Sequence, residues 1–414
     1  MSRGPVIALV DGDHEPPAVR AVLDRLERER GLAGVVLCGG GEKLRPGVLE
    51  EAARHYGRPV ELPRVPSEGL GRLAPDARSV VDLADEPALA TPERLRLAAL
   101  ALHLGLTYEA PGLQLRPPTY EPIEFGGPKL AVIGTGKRVG KTAVAGHWAR
   151  LLRERGLRPV LVCVGRGGPQ RPWLARPGTG VDELLSLSAN GAHAASDYLE
   201  GAALAGVPSV GCRRVGGGPA GEAAESNVAE AATLALSIDP GVLVIEGSGA
   251  TVPPVEVDRT ACVVGDRAGA LDGLGPYRLL RAQLALVRGD AGLAAEVAEL
   301  CPGRVARFAL VSEPAEPLDA SARVALFTTG AEGCDRIEPV VRSGALARRA
   351  ELARDLDRAV AERCQVYLTE LKGAAIDTVA VRARAEGARV AFVRHRPFGL
   401  DCDLDRLLIE LAEA

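Results

Sequence analysis

Apolar runs of strand length alternate with helical patterns along the chain. The run at residues 6–10 predicts a buried strand, and the pattern at 18–30, with Leu23 and Leu26 on one face, predicts a helix. A second apolar run covers residues 34–38. Runs that are apolar throughout favour a parallel sheet covered on both faces. The loops after these two strands, DGDHEPP and GGGEKLRP, would meet at the carboxyl edge of that sheet, where ligands bind in such folds.

The same alternation continues in two further regions. In the middle of the chain, strands are predicted at 129–133, 158–164, 242–245, 261–264 and 284–287, with a helix at 142–155. Near the C-terminus, strands are predicted at 324–327, 365–368 and 390–393. A segment rich in proline and glycine, 116–128, is typical of a linker. The pattern predicts an α/β protein with a central P-loop NTPase-type parallel sheet (126–311), flanked by smaller α/β domains at 1–125 and 312–414.

Composition excludes several classes of protein. The 414 residues include 50 basic and 54 acidic residues, and a formal charge of −4 argues against a surface that coats nucleic acid. The N-terminus lacks the basic region of a signal peptide, and the apolar runs are too short to span a membrane, so we expect a cytoplasmic protein. Eight cysteines stand singly with no C-x-x-C, which favours reduced thiols over disulfides or a structural metal.

Lysine is scarce in this chain. There are 45 arginines but five lysines, so surface cations are mostly guanidinium groups. Two of the five lysines, Lys137 and Lys141, lie within five residues of each other. Because an ammonium is a compact charge that guanidinium replaces poorly, this pair indicates a local need for ammonium groups.

The pair belongs to the stretch GTGKRVGKT between a predicted strand and a predicted helix, the context of a phosphate-binding P-loop. In such a loop, backbone N–H groups and the helix N-terminus bind phosphate, while a lysine reaches the β and γ phosphates. Lys141 is predicted to be that lysine, and Thr142 to bind Mg²⁺. The predicted nucleotide-binding residues are Gly134, Thr135, Gly136, Lys137, Arg138, Val139, Gly140, Lys141 and Thr142. The alternative is an ordinary glycine-rich turn with surface lysines.

The spacing departs from the usual P-loop pattern, since Thr135 stands five residues before Gly140 and the glycine comes one step earlier. This form resembles dethiobiotin synthetase-like P-loop enzymes, which often carry an additional lysine in the loop. Lys137 is the candidate for that second cation.

Two charged residues follow other predicted strands of the central region. Glu246 ends an apolar run and is followed by a glycine-rich loop, so it is a candidate Mg²⁺ ligand in the manner of a Walker B acid. A glutamate that caps a turn is the alternative. Arg166 lies in a neighbouring glycine-rich loop and is a candidate contact to the transferred phosphoryl group, or a partner in a loop salt bridge.

Other charged loops are candidates for binding an anionic substrate. Arg213 and Arg214 precede three glycines and could grip an anion together, although paired arginines are common on solvated surfaces. Asp11, Asp13 and His14 could bind metal, orient substrate, or form a surface pair.

Two of the scarce lysines complete the substrate candidates. Lys43 follows the second predicted strand, at the sheet edge that ligands favour. Lys372 follows a predicted strand of the C-terminal region and either reaches the site or is a solvated loop lysine.

Five stretches together resemble the cyclic 2,3-diphosphoglycerate synthetase family, in order and over essentially the whole chain. They are residues 11–17, 39–44, 134–142, 244–249 and 369–377. Dethiobiotin synthetase matches the central region alone. In the first stretch, Asp13 stands where the family pattern D-G-E-H has glutamate, which shortens the reach of that carboxylate.

The resemblance implies an enzyme that uses ATP and Mg²⁺ to close 2,3-diphosphoglycerate into its cyclic diphosphate, with ADP and phosphate released, and it implies a homodimer. It implies catalytic roles for Lys137, Lys141 and Arg166. Substrate binding would then fall to Asp11, His14, Lys43, Arg213, Arg214 and Lys372. The residues themselves leave two alternatives open: a nucleotide-dependent switch or assembly NTPase, and an ATP-dependent ligase or kinase of another small acid. No N-K-x-D motif indicates guanine, so the base preference stays open.

Overall fold

The computed structural model describes residues 4–45, 47–330, 334–335 and 337–414, and the elements below belong to these residues. The chain forms two compact units. The first contains the chain up to Thr119 together with Arg267–Arg281, and the second contains Tyr120–Asp266 together with Ala282–Ala414.

The strands are β1 Val6–Val10, β2 Leu32–Leu37, β3 Ser79–Asp82, β4 Thr107–Ala110, β5 Leu113–Leu115, β6 Lys129–Gly134, β7 Pro159–Gly165, β8 Trp173–Ala175, β9 Ser209–Val215, β10 Glu225–Ser226, β11 Val242–Glu246, β12 Arg259–Val264, β13 Leu284–Arg288, β14 Arg304–Pro314, β15 Val324–Phe327, β16 Val341–Ser343, β17 Val366–Thr369 and β18 Arg389–Gly399. The helices are α1 Pro16–Arg30, α2 Ala52–Tyr56, α3 Pro66–Leu73, α4 Thr91–His103, α5 Lys141–Glu154, α6 Val181–Ala189, α7 Asp197–Glu200, α8 Val228–Leu236, α9 Arg267–Leu271, α10 Pro276–Leu280, α11 Ala291–Ala298, α12 Arg349–Ala361, α13 Val381–Ala385 and α14 Leu404–Glu413.

The first unit is built on a sheet in the order β2-β1-β3-β4-β5, parallel except for the antiparallel pair β4 and β5. In this order β1 and β3 are neighbours. The connection from β1 leads to β2 at one edge of the sheet, and the connection from β3 leads to β4 toward the other edge. Such a switch point opens a crevice at the carboxyl ends of the two strands. Asp11 directly follows β1 at this edge.

The second unit is built on one large sheet in the order β10-β9-β7-β11-β6-β12-β13-β14-β18-β17-β15-β16, with β8 paired to β9. The pairs β9–β10, β8–β9 and β14–β18 are antiparallel, and the rest are parallel. Strand β6 lies between β11 and β12, so the loop that follows β6 lies beside the end of β11.

Burial on both faces explains why the central strands are apolar throughout. In β11, Val244 belongs to the core on one face of the sheet, which contains Trp148 of α5. Its neighbours Leu243 and Ile245 belong to the core on the other face, together with residues of α8. Alternate side chains therefore enter two different cores, so the strand carries no polar face.

The α/β class and the central parallel sheet are confirmed. The long strands β14 and β18 pair antiparallel from Phe308 to Pro314 and join the C-terminal strands to the sheet of the P-loop region. The predicted division between residues 311 and 312 falls inside β14. None of the helices described here is both long and apolar enough for a membrane span.

Candidate active site

The predicted phosphate loop lies between β6, which ends at Gly134, and α5, which begins at Lys141. Two of its residues have left-handed backbone conformations: Arg138 at φ 60° and Gly140 at φ 108°. A non-glycine residue in this region costs about 1–3 kcal/mol, and such strain tends to occur where a loop is shaped for a ligand. Gly134 leaves room for the side chain of Lys141, whose Cδ would lie 2.9 Å from an added Cβ.

Lys141 is buried against the phosphate loop, with 7% of its surface exposed. Its Nζ donates a hydrogen bond to the carbonyl oxygen of Gly136 at 2.7 Å. Burial lowers the pKa of the ammonium, and the negative charges of Glu246 and Asp197 oppose this effect. The ammonium is thus held directly over the loop that would bind phosphate.

Thr142 and Glu246 meet at the same sheet edge, as predicted from their positions. Glu246 ends β11 and pairs in register with Val132 of β6. The Thr142 hydroxyl donates to Glu246 Oε1 at 2.6 Å. Burial raises the pKa of Glu246, and the charge of Asp197 adds to the rise.

A hydroxyl and a single carboxylate suit a Mg²⁺ site in which the other ligands are phosphate oxygens and water. Both Thr142 and Glu246 line the cavity described next. No group of three or more His, Cys, Asp or Glu side chains suited to a metal occurs within the described ranges. A cation at Thr142 and Glu246 would therefore depend on oxygen atoms of a bound phosphate.

A cavity of about 850 Å³ opens over the phosphate loop within the second unit. Its volume lies in the range of sites that hold a nucleotide or a nucleotide with a small acid. Its basic side chains are Lys137, Arg138, Lys141, Arg166, Arg288 and Lys372, and its carboxylates are Asp197, Glu246 and Glu370. A wall with six such cations and three carboxylates suits a ligand that carries many negative charges.

Arg166 reaches the cavity beside the glycine loop that follows β11. An added Cβ on Gly249 would lie 2.7 Å from Arg166 Nη2 and 3.6 Å from Arg214 Nη2, so the two guanidinium groups converge on this glycine. Arg214 Nη2 donates to the carbonyl oxygen of Ser248 at 2.8 Å. Arg214 therefore holds the loop against which Arg166 lies.

The expectation that Arg213 and Arg214 grip one anion together is wrong. Both residues belong to β9, where successive side chains point to opposite faces. Arg214 is 8% exposed, whereas Arg213 is exposed on the other face.

Lys372 is the predicted substrate residue that reaches the cavity from the C-terminal strands. It follows β17, and its Nζ lies 3.8 Å from Oε2 of Glu200 in α7. The charge of Glu200 raises the pKa of the Lys372 ammonium more than burial lowers it.

Glu370 and His395 stabilise the strand ends beside Lys372. His395 Nε2 lies 3.0 Å from Glu370 Oε1, and His395 Nδ1 lies 2.8 Å from the Ser312 hydroxyl. The backbone N–H of Thr329 donates to Glu370 Oε2 at 2.9 Å. These bonds join β14, the end of β17 and the middle of β18 at one wall of the cavity.

Asp11, Asp13, His14 and Lys43 lie together in the first unit, where they bind one another. Asp11 is fully buried, and its Oδ1 accepts from the backbone N–H of Asp13 at 2.9 Å and lies 2.8 Å from His14 Nδ1. Its Oδ2 accepts from the backbone N–H of Asp85 at 2.6 Å. Lys43 Nζ lies 2.5 Å from Asp13 Oδ1. Burial raises the pKa of Asp11, but hydrogen bonds from Asp85 and His14 outweigh it and lower the pKa.

Sequence reasoning missed several side chains of the cavity wall. Arg288 ends the apolar run of β13, just as Glu246 ends the apolar run of β11. This position at the end of a buried strand is a signal by which Arg288 could have been predicted. Asp197 opens α7 after Ser196, a pattern typical of a helix start and uninformative about a ligand. Glu370 and His395 carry no local signal, since the pairing of β17 with β18 brings them together.

Comparison with known proteins places all three regions in one family. Three family models match: cyclic 2,3-diphosphoglycerate synthetase, N-terminal domain, at residues 5–116; its P-loop domain, at 129–296; and its C-terminal domain, at 322–396.

Relatives named cyclic 2,3-diphosphoglycerate synthetase match over nearly the full length. The protein of Rubrobacter xylanophilus is 40% identical, covering 98% of this chain and 96% of its own. The protein of Methanothermobacter thermautotrophicus is 33% identical, covering 99% of this chain and 96% of its own. The protein of Thermococcus gammatolerans is 36% identical, covering 95% of this chain and 94% of its own. The chain therefore belongs to the cyclic 2,3-diphosphoglycerate synthetase family.

Proposed function

We propose that this protein uses ATP to form an intramolecular phosphoanhydride in 2,3-diphosphoglycerate, releasing ADP and phosphate, with Mg²⁺ bound at Thr142 and Glu246. The observation that carries the proposal is the cavity over the phosphate loop, which combines the P-loop lysine Lys141 with Lys372 from the C-terminal region. Such a cavity can hold a nucleotide triphosphate and a second polyanion side by side.

The phosphate loop, residues 134–142, would bind the triphosphate through its backbone N–H groups. Lys141 would exchange the carbonyl oxygen of Gly136 for the β and γ phosphates. Mg²⁺, when bound, neutralises negative charge on the phosphate oxygens. Lys137 and Arg166 would neutralise the charge that develops on the transferred group.

The chemistry requires no covalent protein intermediate. An oxygen of one substrate phosphate attacks the γ-phosphorus of ATP, the bond to the β,γ-bridging oxygen breaks, and ADP leaves. An oxygen of the other substrate phosphate then attacks the phosphorus of the first, and orthophosphate leaves with the bonding electron pair. One anhydride of ATP is thus exchanged for one in the cyclic product, and the side chains position and neutralise the reacting groups.

Lys372 is the strongest candidate for binding the substrate phosphates, because it lines the cavity and follows β17, far along the chain from the phosphate loop. Arg214 would act by supporting the loop at Ser248. Substrate contacts by Asp11, His14, Lys43 and Arg213 stay predictions, as do a homodimer and a cytoplasmic location.

Phosphorus NMR of the protein with ATP, Mg²⁺ and 2,3-diphosphoglycerate tests this function. We expect resonances of a cyclic anhydride to grow in a 1:1 ratio with ADP, and ATP to persist when the acid is omitted. Hydrolysis of ATP independent of the acid would favour a switch or assembly NTPase. Consumption of ATP with another acid, and none with diphosphoglycerate, would favour a different ligase or kinase.

A further inference from the structure

Glu200 is a buried carboxylate beside the active-site cavity. It ends α7 and is 8% exposed. Its Oε2 is buried and accepts no hydrogen bond from any residue within the described ranges. A buried carboxylate oxygen without a hydrogen bond is costly, so its presence here calls for a partner charge.

The partner charge is the ammonium of Lys372. Lys372 Nζ lies 3.8 Å from Glu200 Oε2, beyond hydrogen-bond distance but close enough for a strong Coulomb attraction in a partly buried place. Glu370, Asp197 and Glu246 add weaker attraction, and they also favour the charged form of Lys372. Burial raises the pKa of Glu200, and the charge of Lys372 opposes that rise. The ammonium is therefore held among carboxylates, with Glu200 at ion-pair distance.

This arrangement leaves the hydrogen-bond donors of Lys372 available to a ligand. An ammonium has three N–H donors, and within the described part of the chain the side chain of Lys372 forms no hydrogen bond. Lys372 lines the cavity over the phosphate loop, whereas Glu200 lines a small adjoining space that shares Asp197 and Glu246 with it. A phosphate in the cavity would contact Lys372 directly, and Glu200 would act on it chiefly by setting the position of that ammonium.

We propose that Glu200 is a positioning residue that holds the Lys372 ammonium in the cavity wall, where it binds a phosphate of diphosphoglycerate. The proposal rests on the proposed function, since it names the contact by which that site recognises the second polyanion. In the proposed function ATP binds at the phosphate loop, so Glu200 acts on one of the two substrates.

Steady-state kinetics of Glu200→Gln, Lys372→Gln and the double variant test the proposal. We expect Glu200→Gln to raise the KM for diphosphoglycerate about tenfold, as a charge-assisted phosphate contact is weakened, with the KM for ATP unchanged within about twofold. Lys372→Gln is expected to raise the same KM further, and the double variant to match Lys372→Gln, because Glu200 acts through that lysine.

The matched control is Asp182→Asn, which removes a carboxylate from an exposed ion pair with Arg384 in the same unit. We expect unchanged kinetics for it. If Glu200→Gln does not fold, Glu200→Asp keeps the charge and shortens the reach by one methylene, and it should raise the KM for diphosphoglycerate by a smaller factor. An unchanged KM in Glu200→Asp would then overturn the proposal.

Two further outcomes would overturn it when Glu200→Gln folds. One is an equal rise in both KM values, and the other is a double variant in which the two losses multiply. These results differ from failure of the proposed function, in which the wild-type protein forms no cyclic anhydride in the NMR experiment. If the wild-type protein forms the product but the losses in the double variant multiply, Glu200 does not have the proposed role. The proposed function would still stand.

Discussion

Each unit carries charged loops at the carboxyl ends of parallel strands, but the charges are used differently. In the first unit, the oxygens of Asp11 accept from two neighbouring loops, and Lys43 is paired with Asp13. In the second unit, no ion pair or hydrogen bond joins the side chains of Lys137 or Arg166 to another residue that the structure describes. The first cluster is closed by its own bonds, and the second keeps Lys137 and Arg166 available for a ligand.

The difference teaches that charge at a sheet edge does not by itself indicate a polyanion site. Neutralised charges shape a loop, because each carboxylate oxygen is already bound to donors of the protein. Cations such as Lys137 and Arg166, which line one cavity without such bonds, repel one another until an anion binds. The balance of cations and carboxylates in the second unit is therefore the better indicator of where phosphates bind.

The largest expected effect is that of Lys141→Ala, which removes the ammonium over the phosphate loop. We expect turnover to fall at least roughly 100-fold, since one positioned cation is worth about 3 kcal/mol or more in phosphoryl transfer. Lys129→Ala is the matched control, because Lys129 begins the same strand at its other end. Initial rates of ADP release measure both variants. Near-normal turnover in Lys141→Ala would remove the assignment of the loop.

Glu370 is a carboxylate of the second unit that resembles Asp11 of the first, because groups of the protein hydrogen-bond to both of its oxygens. Burial would raise its pKa, but hydrogen bonds from His395 and Thr329 and the charge of Lys372 outweigh burial and lower the pKa to about 2. A lowered pKa means that the carboxylate stabilises the fold above its ordinary titration range, and that this stabilisation is lost as the pH falls toward about 2.

Glu370→Gln should therefore lower stability at pH 7 by up to about 3 kcal/mol, as the size of the pKa shift implies. Thermal unfolding of both proteins across pH measures this. The difference between them should shrink below about pH 4. A difference that grows in acid would contradict the assigned role.

Arg214→Ala and Arg213→Ala compare two adjacent arginines on opposite faces of β9. We expect Arg214→Ala to lower kcat about tenfold, because the loop that supports Arg166 loses its hydrogen bond at Ser248. Arg213→Ala should change kcat less than about twofold, since an exposed side chain contributes little. Rates at saturating substrate decide the question, and equal losses would contradict the separation of the two roles.

Lys43→Ala is expected to have a small effect and tests the comparison from the side of the first unit. Lys43 is exposed and already paired with Asp13, so we expect kcat/KM to change by less than about tenfold. A rise confined to the KM for diphosphoglycerate would support its predicted substrate contact. A loss as large as that of Lys141→Ala would break the contrast between the two units.

The sequence predicts the parts of the site that are local along the chain. Strand, glycine loop and helix stand next to each other, so Lys141 and Thr142 could be assigned from spacing, and Glu246 follows from its place at the end of a buried run. The alternation of side chains in a strand could also have separated Arg213 from Arg214 before the structure was known.

The contacts of Glu200 and His395 were beyond this reasoning because their partners are distant in sequence. Glu200 meets Lys372 across 172 positions (372 − 200), and Ser312 meets His395 across 83. These meetings depend on the antiparallel pairing of β14 with β18, which extends one sheet through two regions that the apolar pattern predicts as separate. No local pattern of polar and apolar residues specifies that pairing.

The most direct test of the account is a crystal structure of the protein with a non-hydrolysable ATP analogue, Mg²⁺ and 2,3-diphosphoglycerate. We predict the terminal phosphates of the analogue against the backbone of residues 134–142, with Lys141 Nζ released from Gly136 and a substrate phosphate within hydrogen-bond distance of Lys372 Nζ. A structure in which the analogue binds elsewhere, with the cavity of the second unit lacking both ligands, would contradict the account.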